Sequence, residues 1–321
     1  MKLSELEPQQ APFTVEIEPT EGCNLGCSFC GLRGIREKGT GPHFFMTTET
    51  ATRIASQIAE AGWNSKIVFA GHGEPTLNPD FFEIVSIFRK ILPNNFMHVI
   101  TNGKGIVDLG EDDILPAVKL LEELKISTLI LDNYSPKGDW SKIVDKIESE
   151  YDVEMYKGNG SFFNQKKNFH VKVYPLQLDK NAKIRNLDNH CGAAAPLDFT
   201  FNKKKCAKPF RELFMRYSGD VALCCDDFRG EYPIASIHDT DIVSLWNHER
   251  FQAARVMLYN NDRRFHPCNG CNQTSIRVGL LPDYSGKKTL PEITPEVRKI
   301  AVSVSKENKP LTTIVKRKWE K

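Results

Sequence analysis

The chain has 321 residues, of which 40% are hydrophobic and 26% are charged, and its formal net charge is +2. This length allows one large domain with a smaller one beside it, and the composition is ordinary for a globular protein. The near balance of charge argues against a nucleic-acid partner. No apolar run is long enough to span a bilayer, and the N-terminus lacks the apolar core of a secretory signal, so we expect a cytoplasmic protein without a membrane partner.

Strands and helices are predicted to alternate along the first half of the chain. In chain order they are a strand at 13–18, a helix from Thr47 or Thr48 to about Gly62, a strand at 66–70, a helix opened by Asn78 as its N-cap, a strand at 98–101, a helix at 112–124, a strand at 127–131, a helix at 140–148 and a strand at 169–174. This order is typical of βαβ units and predicts an α/β fold whose parallel sheet closes toward a barrel. In such folds the chemistry lies in the loops after the strands.

Three cysteines lie in the loop that follows the first predicted strand. Cys23, Cys27 and Cys30 are separated by three and then two residues. Three thiolates can hold three corners of a [4Fe–4S] cluster and leave the fourth iron open. A zinc site would need a fourth ligand from elsewhere in the chain, because structural zinc is almost always four-coordinate.

The pattern Cys-x3-Cys-x-φ-Cys, with Phe29 just before the last cysteine, resembles the signature of the radical S-adenosylmethionine (SAM) superfamily. The resemblance implies that Cys23, Cys27 and Cys30 are ligands of a [4Fe–4S] cluster. It implies that SAM binds the open iron through its amino and carboxylate groups. It also implies that Phe29 lies against the adenine of SAM.

The loop Gly71-His-Gly-Glu-Pro75 resembles the superfamily's Gly-Gly-Glu-Pro motif, with His72 in place of its first glycine. The resemblance implies that Gly73 and Glu74, with Pro75 beside them, receive the amino group of SAM. We expect His72 to be held by the backbone rather than to bind a metal.

Two further strand ends resemble parts of the family's SAM pocket. Thr101-Asn102-Gly103 matches a Thr-Asn-Gly element of the family, although Asn-Gly is also a common turn. The family often has a ribose-binding serine in the fourth strand, and 129–131 contains none. Asp132 or Asn133 is therefore the candidate for the ribose hydroxyls.

The remaining cysteines lie in the second half of the chain. Cys206, the element Gly219-x4-Cys224 and the pair Cys268-x2-Cys271 resemble the SPASM/twitch extension of a radical SAM subgroup. The resemblance implies one auxiliary [4Fe–4S] cluster, which these four cysteines would close. Cys225 is an alternative to Cys224, and a four-cysteine zinc site is an alternative to the cluster. Cys191 has no partner at a metal-type spacing, and we expect it to be a buried thiol.

Three parts of the chain are expected from these patterns. Residues 1–190 would form a partial (β/α)6 TIM-like barrel, and residues 191–285 would form a small SPASM/twitch-type domain with a helix at 247–258. Residues 286–321 would add a helix beginning at Thr294-Pro295 and a basic tail.

The resemblance implies a radical SAM oxidoreductase that abstracts hydrogen from a small molecule or a peptide, for a two-electron oxidation. The auxiliary cluster would accept an electron or position the substrate, and a flavodoxin or ferredoxin would supply the reductant. Asp226 and Asp227, beside the expected auxiliary ligands, are candidates for the general base, and a solvated acidic turn is the favoured alternative for both. A peptide maturase and a non-catalytic iron–sulfur electron carrier are the alternative functions.

Overall fold

The computed structural model describes residues 11–27, 29–32, 43–103, 113–133, 139–155, 169–175, 189–194, 206–273 and 292–303. The predicted helix start at Asp112 and the basic tail after Ser303 lie outside these ranges. No helix in the described ranges is both long enough and apolar enough to cross a membrane.

The described residues contain eleven strands. In chain order these are β1 (Thr14–Ile17), β2 (Thr20–Glu21), β3 (Phe44–Phe45), β4 (Lys66–Phe69), β5 (Met97–Thr101), β6 (Thr128–Asn133), β7 (Val153–Met155), β8 (His170–Pro175), β9 (Glu212–Met215), β10 (Asp220–Ala222) and β11 (Pro233–Ser236).

Eight α-helices accompany these strands in the described ranges. They are α1 (Thr48–Glu60), α2 (Phe81–Ile91), α3 (Leu115–Glu123), α4 (Asp139–Glu148), α5 (Lys208–Arg211), α6 (Ile242–Trp246), α7 (Glu249–Tyr259) and α8 (Pro295–Ser303). Short 3₁₀ turns occur at Pro75–Leu77, His190–Gly192 and Cys268–Gly270.

One nine-stranded sheet organises the molecule, in the order β11–β10–β9–β1–β4–β5–β6–β8–β7. The seven strands from β9 to β7 are parallel, and β10 and β11 continue the sheet in antiparallel fashion. The predicted α/β fold with a parallel sheet is confirmed. The strand β7, which the sequence analysis did not predict, lies outside β8 at the edge.

Alternation along the strands separates an apolar face from a polar one. Val15 and Ile17 of β1 are buried in the main hydrophobic core together with Ile54 of α1 and Phe88 of α2. Glu16, between the two core residues of β1, belongs to the opposite face, since successive side chains of a strand alternate. The register pairs Glu16 with Val68 of β4 and continues the same row across the sheet through His98 of β5, Thr128 of β6 and His170 of β8, so that face carries several polar groups.

The second half of the chain shares this core rather than forming one of its own. Leu213 of β9, Trp246 of α6 and Phe251 of α7 belong to the same buried cluster as Val15. The guanidinium of Arg255 lies 4.1 Å from the ring centre of Trp246. Because β9 pairs directly with β1, the expected boundary at residues 190/191 does not separate two cores, and the three-part division of the chain stays a prediction.

Two helix boundaries differ from the sequence predictions. Asp80, not Asn78, occupies the N-cap of α2. Asp80 makes no side-chain cap hydrogen bond, whereas Asn78 Oδ1 accepts a hydrogen bond from Asp80 N at 2.9 Å just before the helix. Asn78 Nδ2 also donates to the carbonyls of Pro19 at 2.8 Å and Met46 at 3.0 Å, so tertiary contacts hold its side chain as well. The predicted helix at 247–258 is present but begins at Glu249, because His248 caps α7 by accepting a hydrogen bond at Nδ1 from Arg250 N.

Candidate cluster and SAM site

The N-terminal cysteine group, defined as Cys23, Cys27 and Cys30, lies in the loop beyond β2. Its three side chains are half-buried and interact electrostatically with one another. The backbone wraps tightly here, since Cys30 N donates to Cys27 O at 3.2 Å and Leu25 N donates to Cys23 Sγ at 3.4 Å. The three thiols therefore face a common space.

The donor set of this group fits an iron–sulfur cluster. Burial raises the pKa of Cys23 to about 12 and that of Cys27 to about 11, so both thiols are protonated until a metal displaces the protons. Cysteine thiolates are the usual ligands of such clusters, and three of them leave one iron for another ligand.

The cysteine loop and the loop after β4 are joined by a backbone bridge between Gly22 and Gly73. Glu74 N donates to Gly22 O at 2.9 Å, and Gly22 N donates to His72 O at 3.4 Å. A Cβ atom on Gly73 would lie 2.3 Å from the carbonyl oxygens of Gly22 and Thr20. Only glycine permits this approach of the two chains.

The buried carboxylate of Glu74 ties the loop after β4 to the end of β5. Its Oε1 accepts hydrogen bonds from Thr76 N at 3.1 Å, Thr76 Oγ1 at 2.6 Å and Thr101 Oγ1 at 2.5 Å. Its Oε2 accepts from Asn102 N at 2.7 Å and retains a second lone pair. Desolvation raises the pKa of Glu74, and these hydrogen bonds oppose the rise.

Asn102 reaches from the end of β5 to the cysteine loop. Its Nδ2 donates to Cys23 Sγ at 3.5 Å and to Asn24 Oδ1 at 3.0 Å. Asp132, half-buried near the end of β6, interacts electrostatically with Cys27. The ends of β5 and β6 therefore both meet the cysteine loop.

The other predicted residues of this site occupy the same loops. Pro75 is buried and begins the 3₁₀ turn, and its carbonyl oxygen accepts a hydrogen bond from Thr20 Oγ1 at 3.4 Å. Phe29 is half-buried within the cysteine loop. Its expected contact with adenine stays a prediction.

His72 is held by the protein interior, as expected. Its Nε2 donates to the carbonyl of Cys225 at 2.7 Å, and its Nδ1 lies 3.3 Å from Glu18 Oε1. The ring stacks on Phe228 with 4.0 Å between centres. Burial lowers the pKa of His72 well below its usual value, so the ring is neutral at physiological pH.

A buried ion network under the cysteine loop was not found by sequence reasoning. Arg216, at the end of β9, pairs with Glu21 and lies 3.6 Å from Glu18 Oε2. Burial raises the pKa of Glu18 to about 7, and Arg216 opposes the rise. The partners are nearly two hundred residues apart in the chain, so no local pattern could have revealed them.

The auxiliary cysteine group, defined as Cys206, Cys224, Cys268 and Cys271, is buried in the second half of the chain. Cys268 interacts electrostatically with the other three, so the four thiols surround one space. Arg263 is buried beside them and donates to the carbonyl of Cys271 at 3.2 Å. Four thiolates close all four irons of a cubane, and a nearby guanidinium offsets their negative charge, so these residues fit a cluster.

Cys225 points away from this group although it follows Cys224 directly. Its Sγ accepts a hydrogen bond from Lys208 Nζ at 2.8 Å. Its sulfur and the carboxylate oxygens of Glu16 and Glu212 lie within 4.8 Å of one another. The structure thus brings Cys224 rather than Cys225 into the auxiliary group.

Cys191 is buried, as expected, and the structure places it beside the auxiliary cysteine group. Its side chain is within hydrogen-bonding reach of the thiols of Cys224 and Cys271. Cys191 reaches these thiols because hydrogen bonds from Asn189 to Asn272 and Gly270 hold its segment, residues 189–194, beside the Cys268–Gly270 turn. The only sequence signal for it was a cysteine left over by the spacing rules.

The acidic pair after Cys225 is buried rather than solvated. Asp226 Oδ2 lies 3.1 Å from Lys208 Nζ, and its Oδ1 lies 3.8 Å from His190 Nδ1. Asp227 is structural, because its two carboxylate oxygens accept hydrogen bonds from the backbone of Glu231 and Tyr232. Asp226 therefore lies next to an ammonium group and an imidazole. In Asp227 both carboxylate oxygens are bound by backbone N–H groups.

Phe228 packs between the two cysteine groups. With Leu32 and Ala193 it forms a small buried cluster against which Cys23 and Cys30 pack. Its ring lies 4.5 Å from that of His190, the neighbour of Cys191. One aromatic side chain thus contacts both the N-terminal cysteine loop and the segment that carries Cys191.

The two cysteine groups fit the ligand sets of an iron–sulfur protein. Comparison with known families gives the same class. A model of the radical SAM superfamily matches residues 17–156, and a model of the SPASM iron–sulfur cluster-binding domain matches residues 206–272. The chain belongs to the radical SAM superfamily and carries a C-terminal SPASM domain. SAM and [4Fe–4S] clusters are the cofactors of these domains.

Curated relatives cover only part of the chain. The GTP 3′,8-cyclase of Pectobacterium atrosepticum is 32% identical over 91 residues, which are 28% of this chain and 27% of the cyclase. A probable GTP 3′,8-cyclase of Methanocella arvoryzae is 28% identical over 149 residues, 44% of each protein. The chain thus spans less than half the length of these relatives.

A solved structure is similar over most of its length. The crystal structure of BtrN in complex with AdoMet and 2-DOIA superposes with a TM-score of 0.64 at 20% identity, covering 85% of this chain and 98% of BtrN. An open conformation of BtrN gives a TM-score of 0.55 at 18% identity, with 82% and 93% covered. At these identities the similarity shows a shared fold.

Proposed function

We propose that this protein cleaves SAM reductively at a cluster held by Cys23, Cys27 and Cys30, and uses the radical chemistry to take a hydrogen atom from a substrate. The observation that carries this proposal is the Gly22–Gly73 bridge, which holds the cysteine loop against the loop after β4. When bound, the cluster and SAM supply a 5′-deoxyadenosyl radical, and the protein positions the reactants and excludes water.

Each strand-end loop has a proposed part in binding SAM. The second lone pair on Glu74 Oε2 would accept a hydrogen bond from the amino group of SAM, and Gly73 would let the loop that carries Glu74 lie against the cysteine loop, where a Cβ atom would clash. Asp132, beside Cys27, is the proposed partner of the ribose hydroxyls. Phe29 is the proposed contact of the adenine ring.

The net reaction that we propose is a two-electron oxidation of a small molecule or a peptide. Cys206, Cys224, Cys268 and Cys271 would hold a closed auxiliary cluster that takes up the second electron. Asp226 is the proposed proton acceptor, since its carboxylate is buried beside the auxiliary cysteine group, with Lys208 Nζ 3.1 Å from its Oδ2. A flavodoxin or ferredoxin would supply the first electron.

The relatives named GTP 3′,8-cyclase favour a second candidate, in which the substrate is a nucleotide. The two candidates are distinguished by adding GTP to the SAM-cleavage assay, because GTP would stimulate formation of 5′-deoxyadenosine only if the substrate is a nucleotide. A non-catalytic electron carrier would form none with any probe.

The test is an anaerobic assay of 5′-deoxyadenosine after reconstitution with iron and sulfide and addition of dithionite and SAM. We expect product from the wild type and none from the variant with Cys23→Ala, Cys27→Ala and Cys30→Ala. The Cys225→Ala variant is the matched control, since its thiol lies outside both cysteine groups, and we expect it to form the product. A reconstituted wild type that holds iron yet never cleaves SAM would contradict the proposal.

A further inference from the structure

Five thiols gather at the auxiliary site, where a [4Fe–4S] cluster takes four ligands. Cys268 interacts with Cys206, Cys224 and Cys271, whereas Cys191 interacts with Cys224 and Cys271. The match to the SPASM domain begins at residue 206 and so contains the first four but not Cys191. The fifth thiol therefore comes from a segment of the chain outside the part that the SPASM model matches.

The fifth thiol is held in place by contacts that do not involve the cysteines. Asn189 N donates to Asn272 Oδ1 at 2.8 Å, and Asn272 N donates in return to Asn189 Oδ1 at 3.1 Å. Asn189 Nδ2 also donates to Gly270 O at 2.7 Å. These bonds fasten the segment before Cys191 to the turn that carries Cys268 and Cys271.

The backbone at this point is unusual for residues with side chains. His190 and Cys191 have φ angles of 46° and 52°, in the left-handed region that favours glycine. Gly192 continues the same conformation with a φ of 84°. This turn aims the Cys191 side chain back at the cysteine group, and the Asn189–Asn272 pairing holds it there.

We propose that Cys191 is a non-ligating thiol of the auxiliary site, whose single S–H proton forms a hydrogen bond to one ligand sulfur, that of Cys224 or that of Cys271. Hydrogen bonds to cluster sulfurs stabilise the additional negative charge of the reduced state, and they are among the features that set cluster potentials. The thiol raises the reduction potential of the auxiliary cluster and makes it a better electron acceptor. This inference rests on the auxiliary cluster alone and not on cleavage of SAM.

The test uses the full chain with Cys23→Ala, Cys27→Ala and Cys30→Ala as background, so that the auxiliary cluster is observed by itself. Cys191→Ala, Cys191→Ser and Cys206→Ala are added to this background one at a time. Iron and sulfide are counted after anaerobic reconstitution, and the midpoint potential is measured by a redox titration followed by EPR.

We expect Cys191→Ala to keep the background's iron and sulfide content while its midpoint potential becomes more negative. Cys191→Ser keeps a hydroxyl donor, so its midpoint potential should lie between those of the background and Cys191→Ala. Cys206→Ala should lose the cluster. Loss of iron in Cys191→Ala to the level of Cys206→Ala would show that Cys191 is a ligand and overturn the proposal. An unchanged potential in Cys191→Ala would also overturn it, because the thiol would then only fill space.

Discussion

Gly22 and Gly73 form a parallel backbone bridge that joins the cysteine loop to the loop after β4. The two loops are about fifty residues apart in the chain, and each follows a neighbouring strand of the parallel sheet. The bridge therefore fixes the distance between the proposed cluster ligands and the proposed SAM contacts. Any side chain at residue 73 would have to break it.

We predict that Gly73→Ala abolishes SAM binding. The added Cβ would lie 2.3 Å from two carbonyl oxygens, a distance that the backbone can only relieve by separating the loops. Gly62→Ala is the matched control, because a Cβ there meets nothing within 4 Å and adds only the strain of a positive φ, roughly 1 kcal/mol. SAM affinity is measured by equilibrium dialysis on reconstituted protein. Equal affinity of the two variants would contradict the role given to the bridge.

Glu74→Gln should lower both thermal stability and SAM affinity. Three donors converge on Oε1, so the amide nitrogen must take the place of Oε2, where it would face the N–H of Asn102. Two donors facing each other in a buried site cost about 1–3 kcal/mol. The exposed Glu60→Gln, at the end of α1, is the control and should change stability by less than about 0.5 kcal/mol. The measurement is thermal unfolding of both variants. A Tm of Glu74→Gln equal to that of the wild type would contradict the hydrogen bonds assigned to the Glu74 carboxylate.

Cys224→Ala and Cys225→Ala form a matched pair of neighbouring substitutions. We expect Cys224→Ala to lose the auxiliary iron and Cys225→Ala to keep it, because the Cys225 sulfur pairs with Lys208 instead. Iron per chain after reconstitution is the measurement. The opposite pattern would mean that the two cysteines exchange places around the cluster.

Phe228→Ala should destabilise the protein by about 3–5 kcal/mol, the usual cost of removing a buried aromatic ring. The ring stacks on His72 and covers Gly31, so its loss opens the space between the two cysteine groups. Phe45→Ala, whose side chain is 38% exposed, serves as the control and should cost much less. Apparent Tm values of the reconstituted variants provide the comparison, and similar values for both would contradict the packing role.

A pH dependence follows from His98. Burial lowers its pKa to about 3, and the nearby Lys66, His170 and Lys172 act in the same direction. A histidine in the unfolded chain titrates near its usual value of about 6.5. Between pH 6.5 and pH 3 the unfolded chain thus binds a proton that the folded chain does not, and stability falls as the pH is lowered, by up to about 1.4 kcal/mol per pH unit.

His98→Gln removes this titration, so its apparent Tm should fall less steeply between pH 7 and pH 5 than that of the wild type. Thermal unfolding of anaerobic, reconstituted protein at several pH values measures the two slopes. Identical slopes would show that His98 does not contribute to acid sensitivity.

Local spacing explains why the N-terminal site could be predicted from sequence. Cys23, Cys27 and Cys30 lie within one loop, and Glu74, Asn102 and Asp132 lie at or just beyond the carboxyl ends of three strands of a parallel sheet. Strands of one direction bring their ends to the same edge, so a linear pattern was sufficient to place these residues together. Even so, it did not show that Glu74 is committed to Thr76, Thr101 and Asn102.

The second half depends on contacts between residues far apart in the chain. No pattern near β9 indicates that it pairs with β1, yet this pairing brings Arg216 under the cysteine loop. Asp226 was expected in a solvated turn, because acidic pairs usually face water. It is buried instead, and its carboxylate pairs with Lys208. Cys191 was expected to be buried, but its place beside the auxiliary cysteine group could not be predicted, because the Asn189–Asn272 pairing sets it rather than the cysteine spacing.

The central claim is that two separate cysteine groups each hold a cluster. Iron per chain, counted after anaerobic reconstitution, tests it in the wild type, in the variant lacking Cys23, Cys27 and Cys30, and in the variant lacking Cys206, Cys224, Cys268 and Cys271. We predict about eight irons in the wild type and about four in each variant. About four irons in the wild type with none in one variant, or zinc in place of iron, would contradict the account.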